Sequence, residues 1–567
     1  MQDADYASMT LEEFVRLPNV VDFNTNYDAE FREFISDKPY IKVGTILTGG
    51  IVIAYAPEER IQGILRGLRR FYTNKYPFIL GLMDRLSLSD AGIINIQNTP
   101  NLDLKGRGVL IGFVDTGIDY TNNAFRYEDG SSKIAYIWDQ TAIGKPPQES
   151  YFGHEYSNEE LNEALKTQNP HEHVPHVDTV GHGTFLASVA AGREIGEYVG
   201  AAPDSEIIMV KLRRAHPFYI DLLAINPNAQ DAYESTDVML GVRYILQKAQ
   251  KLQRPVVICL GLGTNAGSHD GSSLFEKYFY SIVEETGVVL NFAVGNEANS
   301  KHHTNGSIAK EGDTQDVQFR CDNNVTSLSI TIVTSPHDRM PVSIISPTGD
   351  TIAKVPITSN TFQKKLALEN TTVRVQYFLG ETNLVFIAVL QPTNGIWTIR
   401  LHGEVILDGE FNAWIALPQF VGGTVEALRP NPNITAICPA TSNGPITSGS
   451  YNPRDGSLSI SSSWGPTRTG AQCPDLVAPG VNIGGVVPGG YGTMSGTSVA
   501  AAITAGASAL VLQWAIVYGN DPQINTLRMR TLLIRGCDRN QDLVYPNHQW
   551  GYGKLNLLNS FNVIRRL

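Results

Sequence analysis

The chain has 567 residues, 42% of them hydrophobic and 18% charged, with 52 Gly and 30 Pro. Such a length implies roughly two to four domains, and such a composition a globular chain with many turns. A formal net charge of −12 argues against a nucleic-acid partner, which demands a basic stripe, and against binding to anionic lipid.

No apolar run reads as long enough to span a bilayer, so no transmembrane segment is expected. The opening Met1-Gln2-Asp3-Ala4-Asp5-Tyr6 has neither the basic nor the apolar region of a secretory signal, which points to a chain made in the cytoplasm. Residues 1–97 read as a small α+β unit. Within it, 41–45 and 51–56 are β-rich and separated by Gly49-Gly50, a hairpin signal. Residues 58–72 carry Ile61, Ile64, Leu65 and Leu68 on one helical face, and 77–82 form a further short apolar run. This β-β-α-β order is compatible with a ferredoxin-like module.

From Gly108 onward apolar strands alternate with helices. Residues 109–114 form a strand that ends at Asp115, and 207–210, 256–260 and 288–294 are similar continuous apolar runs. Helical periodicity fills 238–252 and 274–285 between them. Strands apolar on both faces with intervening helices imply a parallel α/β sheet. Between 313 and 425 the texture changes: Leu328, Ile330 and Ile332 alternate with Ser329, Thr331 and Val333, and turns such as Pro347-Thr348-Gly349-Asp350 punctuate the strands. That pattern predicts an inserted all-β, jelly-roll-like sandwich, after which the α/β pattern resumes near Thr435. Five scattered cysteines (Cys259, Cys321, Cys438, Cys473, Cys537) form no CxxC pair and no metal-ligand spacing, and read as buried reduced thiols.

Three short motifs carry chemistry. Ser498, in Gly496-Thr497-Ser498-Val499-Ala500, opens an Ala- and Leu-rich helical run. A serine there faces the positive end of the helix dipole; alone it would be a simple N-cap. His182 lies in Gly181-His182-Gly183-Thr184, where flanking glycines admit a substrate and a neutral imidazole can take a hydroxyl proton. Asp115 ends the first apolar strand, at the edge where α/β sheets place their sites, and its carboxylate would accept the imidazole Nδ1–H. Asp119, in the same Asp115-Thr116-Gly117-Ile118-Asp119 loop, is the structural alternative. Asn296 ends the run Val288 to Val294-Gly295-Asn296, where its amide could donate to a tetrahedral oxyanion. His171, His173 and His176 make a metal cluster conceivable, but their loop is polar and acidic and they read as solvated side chains.

The order Asp, His, Ser is that of the subtilisin type. The set resembles the subtilisin-like serine peptidases (S8 type) over 106–312 and 430–567, with supporting matches at Gly200-Ala201-Ala202-Pro203, Ser462-Ser463-Trp464-Gly465-Pro466 and Asp475-Leu476-Val477-Ala478-Pro479-Gly480. One departure is Ala501-Ala502, where many relatives carry a small hydroxyl residue and Pro. The resemblance implies a subtilisin-like parallel-sheet core, catalysis by Asp115, His182 and Ser498, and a cleft whose P1 side is lined by Gly261-Leu262-Gly263. Calcium follows only by family analogy; no ligand set is evident and no cofactor is expected.

A narrower resemblance is to the Csp germination proteases of spore-forming clostridia. It rests on Gly263-Thr264-Asn265, Gly267, His269-Asp270-Gly271-Ser272, the β insertion before the serine, and the N-terminal unit. It implies a prodomain at 1–97, a subtilase domain at 98–312 and 426–567, and a jelly roll at 313–425. It further implies self-cleavage with Gln97 at P1. The cut prodomain would stay in the cleft, the protein substrate would be the zymogen of a spore-cortex hydrolase, and the enzyme would be spore-associated. Some members of that family have lost triad residues and act as pseudoproteases; this sequence keeps all three, which disfavours a silent scaffold. Lack of a leader disfavours a broad-spectrum degradative subtilase.

Overall fold

The computed structural model describes Tyr6 and residues 8–68, 79–82, 90–97, 103–195 and 198–565. At the N-terminus, β1 (Val20–Asn26), β2 (Lys42–Ile46) and β3 (Ile51–Pro57) form an antiparallel sheet in the order β1-β3-β2. Gly49 and Gly50 make the turn before β3 with φ of 80° and 72°, a region open to glycine. One face of the sheet packs Val21, Phe23, Val52 and Ala54 on the flanking helices Ala29–Ile35 and Glu58–Gly67. The other face sets Ile51, Ile53 and Tyr55 on the large α/β unit.

Two features depart from the sequence reading. β1 is absent from it, because Asp22 and Asn24 interrupt the apolar pattern although both are buried. The apolar run near residue 80 is β4 (Ile79–Leu82), which leaves this sheet altogether. The helix expected over 58–72 ends at Gly67, and residues 69–78 lie outside the described ones.

The central sheet contains β5 (Leu110–Asp115), β6 (Ile134–Asp139), β7 (His154–Ser157), β8 (Glu206–Lys211), β10 (Val256–Leu260), β12 (Val288–Ala293), β24 (Ile446–Tyr451) and β25 (Leu476–Pro479). Their order is β25-β24-β12-β10-β5-β8-β6-β7, parallel except at β6–β7. Strands β5, β10 and β12 are buried throughout, which accounts for their unbroken apolar runs. The fully buried helices His182–Ala191 and Thr497–Leu512 cover one face, and Ser235–Leu252 the other. β8 and β10, consecutive among the parallel strands, flank β5 on opposite sides, so the chain changes direction across β5 and its carboxyl end is the kind of switch point at which α/β sheets bind ligands. Thr497–Val517 is long and apolar enough to cross a membrane, contrary to the sequence reading, but 89% of its most apolar window is buried inside the protein. All five cysteines are buried and unbridged.

Two short strands, β9 (Tyr233–Glu234) and β11 (Leu262–Gly263), stand at the rim of this unit. Between β12 and β24 the chain forms two antiparallel sheets. The six-stranded sheet contains β13 (His303–Ser307), β15 (Ser327–Thr334), β18 (Phe362–Lys365), β19 (Thr372–Phe378), β20 (Asn383–Leu390) and β22 (Glu410–Ile415). The five-stranded sheet contains β14 (Thr314–Cys321), β16 (Val342–Ile345), β17 (Thr351–Ile352), β21 (Gly395–His402) and β23 (Val425–Ala427). Their facing side chains, among them Phe319, Ile330, Ile332, Val375 and Trp397, form one core. Pairing of β13 with β22 starts this unit at His303, ahead of the expected 313. Trp414 joins it to the α/β unit: its ring stacks on His269 at 4.0 Å, and its Nε1–H donates to Ile434 O at 2.9 Å. The hairpin β26 (Ile483–Val487) and β27 (Gly490–Met494) precedes the Ser498 helix.

Candidate active site

Asp115 at the end of β5, His182 at the start of the His182–Ala191 helix and Ser498 in the first turn of Thr497–Leu512 converge. His182 Nδ1 lies 2.8 and 3.0 Å from the two Asp115 carboxylate oxygens, and His182 Nε2 lies 3.2 Å from Ser498 Oγ. A carboxylate can only accept, so Nδ1 carries the proton and Nε2 presents its lone pair to the hydroxyl. All three residues are at most 4% exposed. The low dielectric of such a site strengthens the polarisation of the Ser498 hydroxyl.

Backbone contacts hold the pieces in place. A Cβ on Gly183 would stand 2.3 Å from Gly117 O, so only glycine lets the His182 helix press on the Asp115 loop. Thr116 Oγ1 accepts Gly183 N–H and Thr184 Oγ1 accepts Asp119 N–H, both at 2.9 Å. Asp178 caps the helix, taking Gly181 N–H at 2.8 Å, Thr184 N–H at 2.9 Å and Thr184 Oγ1–H at 2.7 Å. Asp119 instead closes its own turn, accepting from Thr121 Oγ1 at 2.6 Å.

Asn296 follows β12 and faces the start of the Ser498 helix. Its Oδ1 accepts from Thr497 N–H at 3.1 Å and Thr497 Oγ1–H at 3.2 Å, which fixes the amide so that its NH2 end is directed the other way. Asn296 is thus held at the N-terminus of the helix whose first turn carries Ser498, and an amide donor with free helix N–H groups is a combination able to stabilise a tetrahedral oxyanion. A Cβ on Gly261 would stand 3.0 Å from Ser498 Cβ and 3.1 Å from His182 Cε1, so this glycine borders both residues directly. Leu262 and Gly263 form β11. Ile437 lies against both Gly263 and Gly295, where added Cβ atoms would meet it at 2.6 and 2.9 Å.

The cleft contains a strand of the same chain. β4 is the middle strand of an antiparallel sheet in the order β11-β4-β9, with Gly81 opposite Gly263, Leu82 opposite Leu262, Leu80 opposite Tyr233 and Ile79 opposite Glu234. The pairing stops one residue short of Gly261, so β4 runs toward the glycine that borders Ser498 and His182. Gln97 is not brought there. It ends the Ile93–Gln97 helix, and its amide donates to Gly200 O at 3.0 Å and Ala201 O at 2.8 Å. Those residues bond to Gly192 and Val189, at the far end of the helix that His182 starts.

Of the three loop histidines, His171 and His173 are exposed, but His176 is fully buried, contrary to the solvated reading. Its Nδ1 lies 2.7 Å from Asp139 Oδ2. Burial favours a neutral Asp139 carboxyl, yet hydrogen bonds from His176 and Thr141, with the nearby Lys211 charge, outweigh it and hold Asp139 at about 2. Burial also raises the Asp231 carboxyl, near His182, above its ordinary value. Asp139 and the burial of His176 were missed because the two pair across distant parts of the chain, whereas Asp178 bonds to Gly181 and Thr184 close by and was passed over as a loop carboxylate.

Comparison with known proteins gives a concordant family. The subtilase family profile matches residues 106–377 and 428–553. Serine protease AprX of Bacillus subtilis (strain 168) is 34% identical over 147 residues, covering 22% of this chain and 31% of AprX. Subtilisin-like protease 5 of Trichophyton tonsurans is 32% identical over 178 residues, covering 27% of this chain and 43% of that protein. The chain thus spans less than half the length of these curated relatives. The solved structure of the Clostridium perfringens CspB protease superposes with a TM-score of 0.73 at 31% identity, covering 84% of this chain and 98% of that one. The profile accounts for most of the chain and takes in Asp115, His182 and Ser498, so the chain belongs to the subtilase family of subtilisin-like serine peptidases.

Proposed function

We propose that the protein is a serine endopeptidase that cuts its own N-terminal unit and then activates a zymogen by limited proteolysis. Ser498 attacks the scissile carbonyl while His182 Nε2 takes its proton. Asp115 orients the ring and stabilises the imidazolium, and Asn296 helps hold the oxyanion. His182 then returns the proton to the leaving amine, and water releases the acyl group by the same relay in reverse. The observation that carries the reading is β4, a strand of the same chain paired on both sides in the cleft and aimed at Ser498.

In this reading residues 1–97 are a prodomain and the two-sheet insertion is a jelly roll within the subtilase domain. β4 mimics an extended substrate, a recognition mode in which backbone pairing supplies affinity. Its register favours a cut in the segment after Leu82, whereas cleavage after Gln97 would require the Ile93–Gln97 helix to leave Gly200 and Ala201. The likeness to the Clostridium perfringens CspB protease supports a germination role, with a spore-cortex hydrolase precursor as the zymogen and the enzyme associated with the spore.

Intact-mass analysis of the parent protein and Ser498→Ala tests self-cleavage. The parent is expected as two fragments whose new N-terminus reports the cut, and the variant as one full-length chain. Two intact chains, or two equally cut ones, would sink self-processing.

A further inference from the structure

The loops that carry Asp115 and His182 meet a second histidine–carboxylate pair that the proton relay does not use. Asp139 ends β6 and registers with Lys211 on β8, as Asp115 does from the opposite side of that strand. Thr141 N–H and Oγ1–H occupy Asp139 Oδ1 at 2.9 and 2.6 Å, which commits Oδ2 to the buried His176. Lys211 Nζ stands 3.8 Å from the same oxygen. The carboxylate therefore selects the Nδ1–H tautomer of His176 and leaves Nε2 as an acceptor.

That acceptor acts on the catalytic loop. His176 Nε2 accepts Ile118 N–H at 3.2 Å, three residues past Asp115. Gly117, with φ of 119°, lies against the ring: a Cβ there would stand 3.2 Å from both Cε1 and Nε2. Tyr120 Oη–H donates to Val174 O at 2.9 Å and ties the same two loops again. On its other side the turn is pinned to the His182 helix through Thr116 and Thr184. The turn after Asp115 is thus clamped between the His176 ring and the helix that carries the base. A buried N–H that loses its acceptor is costly, so removing Nε2 would make the turn move to re-pair Ile118.

We propose that His176 and Asp139 are positioning residues for the serine reaction, holding the turn that carries Asp115 and so setting the Asp115–His182 alignment. Neither touches substrate or a reacting atom. The proposal rests on the serine-peptidase reading above. A misplacement of about 1 Å in such an alignment is enough to slow chemistry by about 10²-fold.

The full chain is titrated with diisopropyl fluorophosphate, separating the maximal rate of inactivation from the half-saturating concentration. His176→Phe keeps a buried ring but removes both polar contacts, whereas His176→Gln restores an acceptor near the Nε2 position. The Phe variant is expected to lose about 10- to 100-fold in maximal rate at an unchanged half-saturating concentration, and Gln to return to within about threefold of the parent. Asp139→Asn should slow the reaction likewise, because an amide N–H turned toward Nδ1 selects the other tautomer, and should add nothing in the Gln background. An unchanged maximal rate, a loss confined to the half-saturating concentration, or a loss that Gln leaves in place overturns the proposal. Should the Phe variant not fold, Asp139→Asn, alone and in the Gln background, decides the matter by the same criteria. A parent that is not labelled even after limited proteolysis has removed the N-terminal unit from the cleft overturns the serine-peptidase reading and this inference together. A labelled parent with unaffected variants overturns the inference alone.

Discussion

Asn296 contributes at the scale of a single hydrogen bond. Thr497 holds its Oδ1 from two atoms, so the amide is oriented before any substrate arrives. A preoriented donor is most effective when charge develops on the substrate oxygen, and it does little for the neutral carbonyl beforehand. Asn296→Ala is therefore expected to lower kcat by about 10²–10³ with KM nearly unchanged, the range found for such a donor in a subtilisin. Steady-state kinetics on a peptide that the parent cleaves checks this, and a change confined to KM would contradict it. Replacing Asn by Ala leaves Thr497 N–H without this acceptor, so a parallel melting curve separates lost folding from lost chemistry.

At the scale of an element, the His182 helix depends on Asp178. The residue before the helix is Gly181, which has no side chain to cap it, and Asp178 supplies the acceptors from three residues upstream. Asp178→Ala should destabilise the protein by about 1–2 kcal/mol, as for a strong N-cap, and Asp178→Asn should cost less because an amide oxygen still accepts. Denaturant unfolding monitored together with fluorophosphonate labelling would test this. Equal stabilities for Ala and the parent would show that the helix holds itself. The helix is short and wholly buried, so its intrinsic propensity is a minor term beside packing and capping.

At the scale of the whole molecule, the N-terminal unit meets the α/β unit through charge. Asp22 on β1, Glu234 on β9 and Asp237 on the Ser235–Leu252 helix gather around Arg213. Arg213 holds Asp237 at 2.8 Å and Asp22 at 3.7 Å, His216 N–H donates to Glu234 Oε1 at 2.7 Å, and Tyr55 lies nearby on β3. Asp22 Oδ2 and Glu234 Oε2 are buried without a hydrogen-bond partner. Burial, then Asp22 and Asp237, raise Glu234 well above its ordinary value. Burial likewise raises Asp237 to about 6 against the pull of Arg213. A carboxyl with a raised pKa in the docked state contributes stability that is full below its ordinary value, about 4, and is lost as pH climbs through the raised one. Asp22→Asn, made in Ser498→Ala protein, should therefore gain stability relative to its parent as pH rises from roughly 5 to 9. Melting curves that stay parallel across that range would remove the coupling.

Legibility followed locality. Asp115, His182 and Ser498 each sit in a local motif whose glycines and adjoining strand or helix are contiguous in sequence, so order and spacing singled out the three residues that the fold brings within hydrogen-bond distance. The central strands read as unbroken apolar runs because helices cover both faces. β1 was illegible because Asp22 and Asn24 are polar yet buried, and their surroundings come from Arg213 and the packed helices. His176 was misread because Glu172 and Asp178 make its loop look solvated, whereas Asp139 and Ile118 enclose it. The sequence by itself determined the family, the order of the three motifs that carry Asp115, His182 and Ser498, and the presence of a β-rich segment between the last two. Tertiary structure alone decided what pairs with the Leu262–Gly263 strand and what packs against the turn after Asp115. Both depend on pairings such as Leu82 with Leu262 and His176 with Asp139, which join residues that no local spacing relates.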